Sequence, residues 1–201
     1  MAASGGPTGS VPAQPTLDAA TALVQSLGAF SPALPATPVR GDRLIVEERR
    51  RAIYAGLWDL GADATQALIG GLTDESTSVR QNVALFLSVA SGNWYALERA
   101  RLDIRPCLPA LIRAVDDSDP RVRELSAHAV ANLGPAAAVA VPALIRLLSA
   151  PVEGNRLSAC AALAKIGPAA HESLSALRLA ETDPSPVVGR CATSTIAQIE
   201  R

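Results

Sequence analysis

Aromatic side chains are scarce: two Phe, two Tyr and two Trp, 3% of the 201 residues. Yet 49% of the chain is hydrophobic, so the apolar mass is Ala, Leu, Val and Ile. Small aliphatic residues of that kind suit helices packed closely side by side. Lysine is scarcer still, since Lys165 is the one basic residue that is not Arg. The 18 basic residues face 19 acidic ones, for a net charge of −1. Nucleic-acid binding normally leaves a basic excess or stripe, so nucleic acid is not an expected partner. Richness in Arg, Ala and Pro also fits a bacterial-like, GC-rich coding sequence.

Other absences exclude further classes. No run of about 18 apolar residues exists to span a bilayer, so no membrane partner is expected. The first residues, MAASGGPTGSVPAQP, lack the basic and apolar regions of a signal peptide. Cys107, Cys160 and Cys191 show no CxxC spacing and leave one unpaired in any disulfide scheme, which favours reduced thiols in a cytoplasmic protein. The two histidines, His128 and His171, do not combine with cysteines into the three or four converging ligands of a zinc site. The phosphate-loop, dinucleotide and zinc-protease motifs are absent. No catalytic, cofactor or metal residues are assigned, and the chain reads as a non-enzyme. Cys160 and Cys191 lie in Ala-rich stretches and read as inert core thiols. Asp116, Asp117 and Asp119 read as a capping turn, because no downstream Glu stands at a calcium-loop spacing.

What is present is repetition, the first thing to establish because its period decides the architecture. LPALIRAVDDSDPRVRELSAHAVANLGPAA, from Leu108, aligns without a gap on VPALIRLLSAPVEGNRLSACAALAKIGPAA, from Val141, at an offset of 33. A further step of 33 reaches LSALRLAETDPSPVVGRCATSTIAQIER, from Leu174. Backwards, the unit from Thr65 fits at an offset of 43, its ten extra residues falling in SGNWYALERARLDIR. ERRRAIYAGLWDLG adds one more second-helix match, with Arg50 and Gly61 spaced like Arg123 and Gly134.

Each unit reads as helix, turn, helix. The first helix carries an Ala-Leu-Ile core (67–69, 110–112, 143–145), and a turn of Asp, Ser, Pro and Gly follows. The second helix shows one apolar stripe of helical period after a marker Arg: Ser126, Ala129, Val130 and Leu133 in one unit, Ala159, Ala162, Leu163 and Ile166 in the next. It ends at Gly134-Pro135 or Gly167-Pro168, a left-handed cap followed by a residue that cannot continue the helix. No unit could bury its stripe alone, so the units must stack. The fold class is all-α, an α-solenoid.

The ankyrin and tetratricopeptide signatures are missing. What recurs is an Asp in the turn, then Val-Arg, then Ala-rich spacing, then Ile/Leu-Gly, best seen at Asp117–Arg123 and at Asp183–Val188, more weakly at Asp74 and Val79-Arg80. This pattern resembles the HEAT repeat, in particular the short form named after phycobilisome lyase subunits, over residues 43–201. The resemblance implies a right-handed superhelix of antiparallel helix pairs. Departures exist: Gly189 stands where the family has Arg, Asn155 replaces Val, and Ala150 occupies an Asp position. The Asp–Arg ladder between neighbours is therefore expected to be incomplete toward the C-terminus, and Arg80, Arg123 and Arg156 to be structural.

The expected organisation is a disordered tail over 1–15 and a single solenoid over 16–201. About four to five helix pairs are expected, with a loop at 28–42 and an insertion at 91–105. The stretch from Thr16 to Leu27 reads as either the first helix of the first repeat or a capping helix. Trp94 and Tyr95, adjacent in the insertion, either fill a wedge in the stack or form a binding anchor. Tyr54 and Trp58 stand i,i+4 on one helix and could pack against the N-terminal segment.

A solenoid's usual ligand surface is the concave ridge of its second helices. Counting from the marker Arg, that ridge holds Arg51, Asp59, Gln81, Glu124, His128, Asn132 and Lys165, mixed in sign. The expected function is a non-catalytic scaffold or adaptor binding a protein or peptide there, with a monomer favoured. The resemblance also implies, as alternatives, a bilin lyase-like or chaperone subunit acting on another protein, or a helical-repeat DNA-binding protein.

Overall fold

The computed structural model describes residues 14–29, 40–90 and 102–201, and the whole of it is helical with turns. Among the described residues ten α-helices follow one another in pairs: α1 (Gln14–Ser26) with α2 (Arg40–Leu60), and α3 (Thr65–Gly71) with α4 (Thr77–Ala90). Next come α5 (Leu108–Ala114) with α6 (Pro120–Asn132), and α7 (Val141–Leu147) with α8 (Glu153–Ile166). The last pair is α9 (Leu174–Ala180) with α10 (Pro186–Ile199). The tail (1–13) lies outside the described residues, as do most of the 28–42 loop and 91–101 of the insertion, including Trp94 and Tyr95. Helix α1 starts at Gln14, two residues before the expected Thr16, and α2 starts at Arg40, inside the expected loop.

Within each later pair a short first helix lies on a long second helix. The second helices α4, α6, α8 and α10 pack side by side as a continuous layer. Their close approach rests on the small residues that the composition implied: Ser126, Ala127, Ala129, Ala159, Cys160, Ala162 and Ala192 are all fully enclosed. A second helix in mid-stack touches its own partner and both neighbours, so its buried arc is wider than one stripe. In α8, Asn155, Ser158 and Cys160 are buried along with the predicted stripe. Side chains of Leu111, Leu144 and Leu177, one per first helix, fill the space between the two layers.

Helix α1 packs on both α2 and α3 and buries Ala20 and Val24, with Leu27 just beyond it, in the common core. It thus takes the place of a first helix. Tyr54 and Trp58 both meet Phe86 of α4, at ring-centroid distances of 4.9 and 5.2 Å.

Helices α2, α6 and α8 each hand over to the next pair through a glycine with positive φ: Gly61 (55°), Gly134 (57°) and Gly167 (71°). The sequence predicts a left-handed cap at Gly167. The observed ψ of −143° is instead the mirror image of an extended strand, because the ring of Pro168 disfavours a helical ψ in the residue before it. Only glycine occupies that region without strain. Gly167→Ala is therefore expected to cost about 1–2 kcal/mol, read as a lower urea midpoint with an unchanged slope.

Candidate functional site

The turns are built first. Asp74, Asp117 and Asp183 each accept, through Oδ1, the backbone N–H two residues on, at 2.8 Å. This side-chain turn bends the chain into the second helix. Asp119 then caps α6 by accepting from the N–H groups of Arg121 and Val122.

The marker arginines lock neighbouring turns together. In each, Nη1 donates to two carbonyls of its own turn: Asp74 and Glu75 for Arg80, Asp117 and Ser118 for Arg123, Ala150 and Pro151 for Arg156. The other edge reaches the next pair. Arg80 Nε donates to Asp117 at 2.9 Å, and Arg156 grips both oxygens of Asp183 at 2.7 and 2.8 Å. The Arg156 guanidinium holds the Asp183 carboxyl below its ordinary range, against a small opposing effect of burial.

The ladder continues where Ala150 and Asn155 depart from the pattern, and there the expectation is corrected. With Ala150 in the Asp position, Arg123 Nε donates instead to Asn155 Oδ1 at 3.1 Å. Asn155 is fully enclosed and its amide donates back to the Pro120 carbonyl at 2.7 Å. The ladder ends only at Gly189. A Cβ there would stand 2.8 Å from the Glu181 carbonyl oxygen, because the last turn has closed onto α10 where an arginine stem would run.

With the arginines occupied in the turns, the outward surface of α4, α6 and α8 is the candidate site. His128, Asn132 and Lys165 are exposed. His128 Nε2 lies 3.0 Å from Ser158 Oγ, and Asn132 donates to the Ser88 carbonyl at 3.0 Å. These bonds cross from one second helix to the next and hold both side chains over the groove between them. Small or apolar Leu85, Ala131, Leu157 and Ala164 are half-buried around them. Two other candidates are committed to structure. Gln81 is half-buried and donates to Asp119 at 2.9 Å, and Glu124 pairs with Arg121 at 2.9 Å. Arg51 and Asp59 are exposed on α2, across the Tyr54–Trp58–Phe86 layer from the rest. Ser158 and Ser88 position the ridge, and reading one helix at a time misses them, since each acts across a helix boundary.

Among the described residues no group of three or more His, Cys, Asp or Glu is placed to hold a metal ion. No helix among them is long and apolar enough to cross a membrane. Cys107 is enclosed, and burial, with a smaller effect of Asp103, pushes its thiol up to about 12.

Comparison with known proteins places this geometry. Residues 108–197 match the model of HEAT repeats. No curated protein matches the chain. Among solved structures, a designed armadillo repeat protein in complex with the peptide (KR)4 aligns with a TM-score of 0.61 at 19% identity, over 90% of this chain and 82% of that one. An engineered protein aligns at 0.58 and 20% identity, over 91% and 72%. The complex of CpcE and CpcF of phycocyanin lyase from Nostoc sp. PCC7120 aligns at 0.57 and 22% identity, over 98% and 70%. The arginine ladder that joins the second to the fifth turn, together with these alignments, gives the chain the fold of an α-solenoid of helical repeats, within which residues 108–197 match HEAT repeats.

Proposed function

We propose that the chain is a non-catalytic scaffold that binds a protein partner on the outward face of its second helices. The observation that carries this reading is the line of His128, Asn132 and Lys165, exposed on adjacent helices and, for the first two, pinned by bonds to Ser158 and Ser88. A side chain already ordered loses little entropy on binding. Half-buried aliphatic residues between polar anchors suit a polypeptide, which offers both apolar side chains and backbone groups. Two fold relatives support the class: one was solved with a peptide, the other as a complex of two chains.

The test is affinity capture from the native host followed by measurement of the captured partner. His128→Ala, Asn132→Ala and Lys165→Ala together are expected to weaken it at least about tenfold, roughly 1.4 kcal/mol, with the helical circular dichroism unchanged. Undiminished affinity in that variant would place the partner on another face. A lyase-like or chaperone subunit is the second reading, resting on the CpcE–CpcF alignment over 98% of this chain. It predicts that the captured protein bears a bilin.

A further inference from the structure

The outward face is mixed in sign as a sequence, but folding takes up most of its negative charge. The face consists of the positions one, five and nine residues after each marker position. On α6, α8 and α10 these hold one carboxylate, Glu124, and two fixed cations, Lys165 and Arg190. Glu124 is paired with Arg121 at 2.9 Å. Two further carboxylates stand at the margin. Glu153, at the start of α8, accepts the Ser185 hydroxyl at 2.7 Å, and its charge is felt by Arg156. Glu181 and Arg190 line one open hollow, but Glu181 Oε1 takes the Thr193 hydroxyl at 2.9 Å. Among the described residues Lys165 and Arg190 form no ion pair and no hydrogen bond, and both are exposed. The charge left unanswered on this half of the face is therefore positive.

The two cations have a definite spacing. In the register of the repeat, Lys165 stands eight positions further along its helix than Arg190 does along the next. With 1.5 Å per residue and one helix-to-helix step, that is a diagonal of about 15 Å. An extended chain covers such a distance in about four or five residues. The floor beneath the diagonal is small, with Ala161 and Ser194 both exposed, and Leu157 is half-buried beside it. A strand lying there meets a cation at each end and room for an aliphatic side chain between them. A nucleic acid would find neither a continuous basic track nor a stacking platform, since these positions hold no Phe, Tyr or Trp.

Resting on the reading that the outward face binds a polypeptide, we propose that the partner presents an extended acidic segment. Two of its carboxylates, four or five residues apart, are received by Lys165 and Arg190.

The probe is a peptide of three Glu-Ala-Leu-Gly units, compared with peptides carrying Gln or Lys in place of Glu. Each is titrated into the full chain and followed by amide NMR, which registers weak binding and maps it. The Glu peptide is expected to shift amides around Lys165 and Arg190. It is expected to bind about tenfold more tightly than the Gln peptide, because each exposed ion pair contributes about two- to fivefold. Raising salt from about 50 to about 300 mM should remove most of that advantage. Lys165→Glu with Arg190→Glu is expected to keep the fold, since neither side chain has a partner to lose, and to prefer the Lys peptide. Equal binding of the Glu and Gln peptides would overturn the proposal, as would no binding by any of the three. So would an unchanged Glu-peptide affinity in the double variant, or tighter binding of a single-stranded DNA than of the Glu peptide. Peptides that bind without an acidic preference but still shift His128 and Asn132 leave the outward face standing and remove only the acidic partner. Shifts confined to another face remove the binding surface itself.

Discussion

Phe86→Ala is expected to lower stability by about 4 kcal/mol, the upper part of the range for a buried aromatic cut to alanine. Phe86 is fully enclosed and is the side chain through which α4 meets both Tyr54 and Trp58. The other second helices approach through Ala, Ser and Cys, with many short contacts along their length. Between α2 and α4 the aromatic rings occupy that space instead. Removing the central ring leaves a void between two others that cannot close without the helices moving. Because a solenoid's stability is a sum of units and nearest-neighbour interfaces, the loss should not spread evenly. Amide exchange in α2 is expected to accelerate far more than in α8 or α10, and unfolding is expected to lose its single transition. One sharp transition with equal acceleration in all helices would refute this account of the junction. Leu144→Ala, in the middle of the stack, supplies the contrast: a cost of about 3 kcal/mol felt on both sides.

The same junction shows how far the sequence carried. The period of 33, the turn Asp, the marker Arg and the glycine caps are local or strictly repeated, and the helix–turn–helix order from α5 to α10 follows from them. Tyr54 and Trp58 were readable as one face of a helix, but not their partner. Phe86 lies in the next unit, and nothing in a pattern that elsewhere uses Ala and Ser signals an aromatic contact. The same limit applies to the ridge. Positions counted from the marker Arg place His128, Asn132 and Lys165 on the exposed side. They cannot say that Gln81 spends its amide on the cap residue Asp119, because that bond depends on how far one helix is shifted along the next.

Asn155 is where a pattern argument and a physical one give opposite predictions. By pattern, Asn155→Val restores the residue that the repeat uses before its marker Arg, and should stabilise. By structure, it deletes both the acceptor of Arg123 Nε and the donor to the Pro120 carbonyl, in a fully enclosed place. A buried group left without its partner costs more than an average hydrogen bond contributes, and more again when it is charged. The extra apolar surface of Val offsets only part of that. Asn155→Val is therefore expected to lower stability by about 2–3 kcal/mol, a fall in melting temperature of roughly 5–10 °C for a chain of this size. The rescue follows from the neighbouring rungs. Asp117 and Asp183 receive Arg80 and Arg156 from the turn position that Ala150 occupies here. Ala150→Asp introduced with Asn155→Val should recover most of the loss, while Ala150→Asp alone should gain little, since Arg123 is already served. Thermal unfolding of the three variants measures the coupling directly, and additivity between the two substitutions would show that Asn155 does not substitute for the missing aspartate. If the coupling holds, the ladder is conserved as a function, not as a residue. An arginine in the first coil of each internal second helix must find an acceptor one unit on, and the position that supplies it is free to move from the turn to the first coil of the next second helix.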